Sequence, residues 1–201
     1  AGARISNPTR SINSMRGLFH VRKRLPLLIA VPTTAGTGSE TTIAAVITDS
    51  ETHEKSAMNS SKLRPLYAVL DPKLTVGLPQ KITSTTGLDA LTHAVEAYIG
   101  GSNTPGTRRN AEKAVELIFG NLENAYNDGK NIEARNNMLI GSFCAGVAFT
   151  RAYVGYVHCI AHQLGGLYGV PHGLANAVIL PYVLEYYGTS GLEPRNSRKD
   201  R

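Results

Sequence analysis

Five residues of this sequence could share one metal ion. Asp89 and His93 stand four apart in "TGLDALTHAVEAYI", and His158 and His162 repeat that spacing in "HCIAHQLGG". His172 follows in "VPHG". On a helix, residues four apart project from the same face. A carboxylate and several imidazoles, without thiolate, form a donor set suited to Fe2+, Zn2+ or a neighbouring first-row ion. No Lys, Arg, Asp or Glu lies between Arg151 and Glu185, so polar rings placed in that apolar segment need a partner.

Spacing alone leaves two points open. Five candidates exceed the four protein positions that such an ion usually takes, and an Asp–His pair at this spacing can also do no more than stabilise a helix. The H-E-x-x-H arrangement of a metallohydrolase is absent, because Ala94 follows His93 and Cys159 follows His158. Glu96, three residues beyond His93, could cap a helix or pair with a neighbour. His20 and His53 lie in polar stretches and read as solvent-exposed.

A second chemical stretch is "VPTTAGTGSETT", residues 31–42. It leaves an apolar run, turns through Gly36 and Gly38, and carries hydroxyls at Thr33, Thr34, Thr37 and Ser39. Such a turn can hold phosphate or ribose oxygens. It is neither a Walker loop nor the G-x-G-x-x-G dinucleotide fingerprint.

The elements that must position these groups fall into two textures. "LPLLIAVPTT" (25–34), "TTIAAVITDS" (41–50) and "LYAVLDP" (66–72) are short apolar runs bounded by turn residues, and they read as strands, the first of them buried. After "VGLPQK" the pattern turns helical. One helix is expected over 84–99, with N-cap candidates at Ser84 to Thr86 and a stop at Gly100 and Gly101. In the next, Ala111, Val115, Ile118, Leu122 and Ala125 recur at helical spacing. The helix through "NNMLIGSFCAGVAFT" is small and apolar in its second half, hence closely packed, and "GLANAVILPYVLEYYG" is a helix with Pro181 inside it. The domain boundary is expected near 79–83.

Composition narrows the function classes. Hydrophobic residues make up 42% and charged residues 18% of the 201 positions, which reads as globular. The net charge of +6 is concentrated at the ends, but no aromatic ladder is interleaved with it and tryptophan is absent, which argues against single-strand nucleic-acid binding. No run has the length of a membrane span. Cys144 and Cys159 do not suggest a disulfide framework, so a reducing, cytoplasmic setting is expected.

Taken in order, "PTTAGTGSE", "TGLDALTHAVEAYI" and "HCIAHQLGGLYGVPHGLANAVILP" closely resemble the iron-containing (group III) alcohol dehydrogenases, from about residue 8 to about residue 188. The resemblance implies an α/β remnant of a dinucleotide-binding domain, followed by an all-α metal-binding domain, in the dehydroquinate synthase-like architecture, with the metal in the cleft between them. It assigns residues 1–80 to the C-terminal part of the cofactor domain, 81–188 to the helical domain, and 189–201 to an atypical basic tail. It implies Asp89, His93, His158 and His172 as ligands of Fe2+ (with Zn2+ as the alternative ion), and it places His162 beside nicotinamide and substrate as a catalytic, non-ligating group. Thr33, Thr34, Thr37 and Lys55 take the family's cofactor-binding positions, for NAD or NADP.

The implied activity is hydride transfer between a small or primary alcohol, or its aldehyde, and NAD(P). The implied partners are that small molecule and further copies of the full-length chain, not nucleic acid or membrane. The family's G-G-G-S loop would lie upstream of residue 1 and its helical domain would continue past Gly188, so the chain is read as an internal fragment. The alternatives are a zinc polyol dehydrogenase or related superfamily member, or, for the fragment itself, a helical metal-binding module without turnover.

Overall fold

The computed structural model describes residues 2–48 and 55–190, with Arg4, Thr48 and Lys55 described in their backbone only. His53 and the tail from residue 191 lie outside the described residues. The described chain forms two compact units. One holds the residues up to Val31 together with Ser39–Val69; the other holds Pro32–Gly38 and the residues from Leu70 onward.

In the first unit, α1 (Gly2–Ser6) precedes five short strands: β1 (Gly17–Leu18), β2 (Ile29–Ala30), β3 (Ala44–Thr48), β4 (Lys55–Asn59) and β5 (Tyr67–Ala68). β4 is central to a three-stranded sheet. It pairs in parallel with β1, Gly17 opposite Met58, and antiparallel with β3, Ala44 opposite Asn59. Ala3, Met15, Val21 and Met58 make this unit's core.

β2 and β5 form a separate parallel pair, Ile29 opposite Tyr67. The fold corrects the expectation of a buried strand over 25–34. Only Ile29–Ala30 is strand, and Leu27, Leu28, Ile29 and Val31 are all exposed. The run has the right residues for a buried strand. Among the described residues, however, β5 is the only strand that pairs with β2, and a two-stranded sheet cannot cover its own faces.

The second unit is helical: α2 (Gln80–Ile99), α3 (Pro105–Asn127), α4 (Ile132–Ala152), α5 (Tyr156–Tyr168) and α6 (His172–Thr189). α2 packs against α3, α4 and α6. α3 starts at a reciprocal Thr104–Thr107 capping box with Pro105 in its first turn. Ala111, Ile118 and Ala125 of α3 are fully buried, as are Ala90 and Ala94 of α2 and Ala145 of α4, with Met138 and Leu139 nearly so. Small residues bring these helices close: a Cβ on Gly141 of α4 would stand 2.9 Å from Ile118.

α2 begins four residues before the expected start, at Gln80, behind Pro79. The hydroxyls at 84–86 are not caps. Ser84 and Thr85 donate to the Lys81 carbonyl, and Thr86 donates to the Ile82 carbonyl, so each bonds back along the helix it sits in. Gly100 ends α2 as the sequence suggests. Pro181 lies inside α6 without ending it.

Two junctions set the geometry of the helical unit. At Tyr153, whose φ is +66°, the chain leaves α4, and α5 departs at 100° to it. The turn Pro32–Gly38 is the second, and it belongs to this unit rather than to the strands. Gly36 lies against Thr86 of α2, and Gly38, at φ +56°, lies against Gly146 and Phe149 of α4. A Cβ on Gly38 would come within 2.7 Å of the Gly146 Cα, so glycine is required there both for conformation and for space.

Candidate metal centre

The helical unit brings together side chains from α2, α5 and α6. Asp89 and His93 point inward from the middle of α2, one turn apart, and both are buried. The sharp turn after α4 swings α5 so that His158, on its first turn, is buried beside them. One ligand atom each from Asp89, His93 and His158 lie within 4.8 Å of one another. His172, the first residue of α6, adds its Nε2 at 3.5 Å from the Asp89 Oδ1, while His158 Nε2 is 3.6 Å from that oxygen. His172 alone of the four is partly open, its side chain 42% exposed.

The rings form a chain of contacts, stacked except where His158 meets His172 at a tilt of 56°. His93 lies between Phe149 of α4, at 4.2 Å, and His158, at 4.4 Å. His158 is 5.3 Å from His172, and His172 is stacked 5.2 Å from His162. His162 is exposed and meets His158 only edge-on, at 6.0 Å. The two histidines of the α5 pair are thereby separated: His158 faces inward with Asp89 and His93, and His162 borders the group from outside.

Two further polar residues complete the buried cluster. Glu96 accepts from the Val157 N–H at 2.7 Å and meets His158 Nδ1 at 2.5 Å, so it both caps and pairs. Asn176 of α6 is fully buried, and its Nδ2 donates to Asp89 Oδ1 at 2.6 Å. The same nitrogen is 3.2 Å from the Nε2 atoms of both His158 and His172. Asn176 is absent from the candidates that sequence patterns supply. The available signal was its position four residues after His172, on the same helical face, in an otherwise apolar run.

The electrostatics fit a cation. Burial drives His93 down to about 4, against opposing pulls from Asp89 and Glu96, so this ring is neutral and keeps a free lone pair at neutral pH. Its Nδ1 is buried without a partner. Burial would raise Asp89, but hydrogen bonding to His158 and the nearby histidines hold it below the usual carboxylate range. Glu96 is likewise lowered, its burial outweighed by hydrogen bonding to His158 and the backbone. For His158, burial is overridden by hydrogen bonds to Asp89 and Glu96, which hold it up to about 9. In the metal-free protein the protonated His158 answers the two buried carboxylates; a divalent first-row ion would displace that proton and take three imidazoles and a carboxylate oxygen as donors.

Of the positions expected to hold the cofactor, Thr33 and Thr37 are exposed and Thr34 half-buried, all on the turn that rests on α2 and α4. Lys55 opens β4 in the other unit, and its side chain lies outside the described residues. His20 is exposed on the surface of that unit. Among the described residues no single helix is long and apolar enough to cross a membrane.

Comparison with known proteins gives consistent results for both units. Residues 83–199 match the model of the Fe-containing alcohol dehydrogenase family, C-terminal part, and residues 2–72 match the model named iron-containing alcohol dehydrogenase. The 1,3-propanediol dehydrogenase of Klebsiella pneumoniae is 49% identical over 170 residues, which is 85% of this chain and 44% of that protein. The NAD-dependent methanol dehydrogenase of Bacillus methanolicus is 44% identical over 175 residues, 87% of this chain and 46% of its own. The crystal structure of a 1,3-propanediol oxidoreductase superposes with a TM-score of 0.87 at 45% identity, covering 92% of this chain and 49% of that one. The chain thus spans about half the length of the curated relatives it matches.

Proposed function

This chain belongs to the iron-containing alcohol dehydrogenase family, and we propose that the protein carrying it is a metal-dependent oxidoreductase. It moves a hydride between a small or primary alcohol, or the corresponding aldehyde, and a nicotinamide cofactor. The observation that supports the reading is that ligand atoms of Asp89, His93 and His158 lie within 4.8 Å of one another, with His172 Nε2 3.5 Å from the Asp89 carboxylate. These four side chains would hold the ion. The family's name supports Fe2+, and the name of the Bacillus methanolicus relative supports NAD.

When bound, the metal supplies Lewis acidity toward the substrate oxygen, and the nicotinamide supplies or accepts the hydride. The protein's own groups bind, orient and move the proton. His93, neutral and pressed against Phe149, closes the inner side of the site to water. His172 leaves the outer side partly open, where an alcohol can enter. His162, exposed beside His172, passes the substrate hydroxyl's proton to solvent, a task that an imidazole performs near neutral pH.

Thr33, Thr34 and Thr37, on a turn that Gly36 and Gly38 seat against α2 and α4, would bind phosphate or ribose oxygens; Lys55 as a cofactor contact, and residues 1–80 as part of the cofactor domain, rest on the family resemblance alone. Residues 81–188 would be the metal-binding domain. The family resemblance is also the ground for a cytoplasmic homo-oligomer.

The test is to prepare the full-length protein anaerobically, then measure its iron content and its alcohol-dependent reduction of NAD. About one iron per chain, with turnover lost on chelation and restored by Fe2+, is the expected result. Iron without turnover on any small alcohol would favour a metal-binding module, and a protein that takes up no divalent metal would sink the reading.

A further inference from the structure

We propose that Glu96 is a positioning residue for the metal centre: it fixes the orientation of the His158 ring, and the nitrogen that carries its proton, so that Nε2 faces the ion. The proposal rests on the metal-binding reading of the site.

Three observations converge on this carboxylate. First, Glu96 reaches across from α2 to the start of α5, which has no side-chain cap of its own behind Gly155. Its Oε1 accepts from the Val157 N–H at 2.7 Å, placing a negative charge at the positive end of that helix. Second, its other oxygen, Oε2, meets His158 Nδ1 at 2.5 Å, with both side chains buried. Third, Gly155 makes the room: a Cβ there would stand 2.9 Å from Glu96 Oε1. One carboxylate therefore holds both the helix end and the ring carried on that helix.

The chemical consequence follows from how a neutral imidazole is built. It has a single N–H, and donating that hydrogen to Glu96 places it on Nδ1. The lone pair is then on Nε2, the atom facing Asp89 and Asn176. A carboxylate behind a ligating histidine also makes the ring a stronger donor. His93 has no such carboxylate behind it: its Nδ1 is buried and unpaired, and its ring is stacked between Phe149 and His158. Glu96 thus hydrogen-bonds one proposed ligand, His158, and it positions the site through that ring.

Glutamine separates this role from simple capping. In Glu96→Gln, the amide oxygen can still accept from Val157, but the NH2 group then faces Nδ1 and drives the ring proton to Nε2, where the ion must bind. Turning the amide over restores the ring's partner and sets donor against donor at Val157. Neither arrangement serves both partners.

The experiment uses metal-depleted full-length protein titrated with Co2+, against a competing chelator, with the ligand-field spectrum recorded alongside thermal unfolding. Glu96→Gln is expected to weaken Co2+ binding by about 10–100-fold and to shift the spectrum. Gly155→Ala, which keeps the charge and displaces the carboxylate, is expected to weaken binding in the same direction. A lower unfolding temperature with unchanged Co2+ affinity in both variants would leave Glu96 as a helix cap and overturn the proposal alone. Wild-type protein that binds no Co2+ would overturn the metal reading and this proposal together. If Glu96→Gln fails to fold, Gly155→Ala decides by the same criterion.

Discussion

Asn176 and Asp89, on α6 and α2, are joined by a buried hydrogen bond of 2.6 Å, and the same amide nitrogen lies 3.2 Å from two histidine nitrogens. The bond fixes the first turns of α6 against the middle of α2, and His172 opens that same helix. Replacing Asn176 by Ala removes a buried donor to a charged acceptor. The expected loss is about 1.5–3 kcal/mol of stability in the metal-free protein, the range for such a bond. Denaturant unfolding with and without metal checks it. An unchanged midpoint would show that Asp89 is held by its histidines alone.

Of the four proposed ligands, His93 is the one whose removal gives the cleanest readout. It is neutral over the working pH range and enclosed by Phe149 and His158. His93→Ala should leave metal content well below one per chain and should lower the unfolding temperature in the presence of metal, because binding to the folded state alone adds stability. Elemental analysis of the purified variant measures this directly. Full metal retention would remove His93 from the ligand set.

Gly38 tests the turn that carries the threonines proposed to bind the cofactor. Its φ of +56° and its approach to Gly146 leave no space for a side chain. Gly38→Ala should cost at least about 1–3 kcal/mol for the backbone conformation, with the close approach adding to it. NAD affinity should fall and metal content should stay near the wild-type value. Calorimetric titration of NAD into the full-length variant checks the first and elemental analysis the second. Unaltered NAD binding would detach this turn from the cofactor.

What could be read from the sequence was what short-range patterns encode. The Asp89–His93 and His158–His162 pairs are visible because four-residue spacing is a property of one helix, and the family strings add His172 by order. Although its Thr104–Pro105 start came only from the structure, helix α3 could be read from its apolar repeat. The beginning of α2 could not, because Ser84, Thr85 and Thr86 have the composition of caps, whereas their hydroxyls bond to carbonyls one turn back.

The apolar run at 25–34 resembles a buried strand, yet burial depends on what covers a strand, and its composition cannot supply that. Glu96 was ambiguous for a related reason: its partners, Val157 and His158, lie 61 and 62 residues away. Asn176 gave only a weak local signal, an amide four residues after His172 in an apolar stretch, since its meaning depends on Asp89 of another helix.

A variant at His162 can separate ligation from the proposed proton transfer. Spacing allows either histidine of α5 to bind metal, but the fold buries His158 and leaves His162 exposed, stacked on His172 and edge-on to His158. His162→Ala in the full-length enzyme should therefore keep its iron. Turnover should fall by about 10²–10⁴, the usual contribution of a general acid–base group, and the pH–rate profile should lose the limb belonging to this imidazole. Iron stoichiometry and the pH profile need to come from one preparation, because each excludes a different error. An emptied site would make His162 a ligand, whereas a full site with undiminished turnover would leave it a surface ring stacked on a ligand.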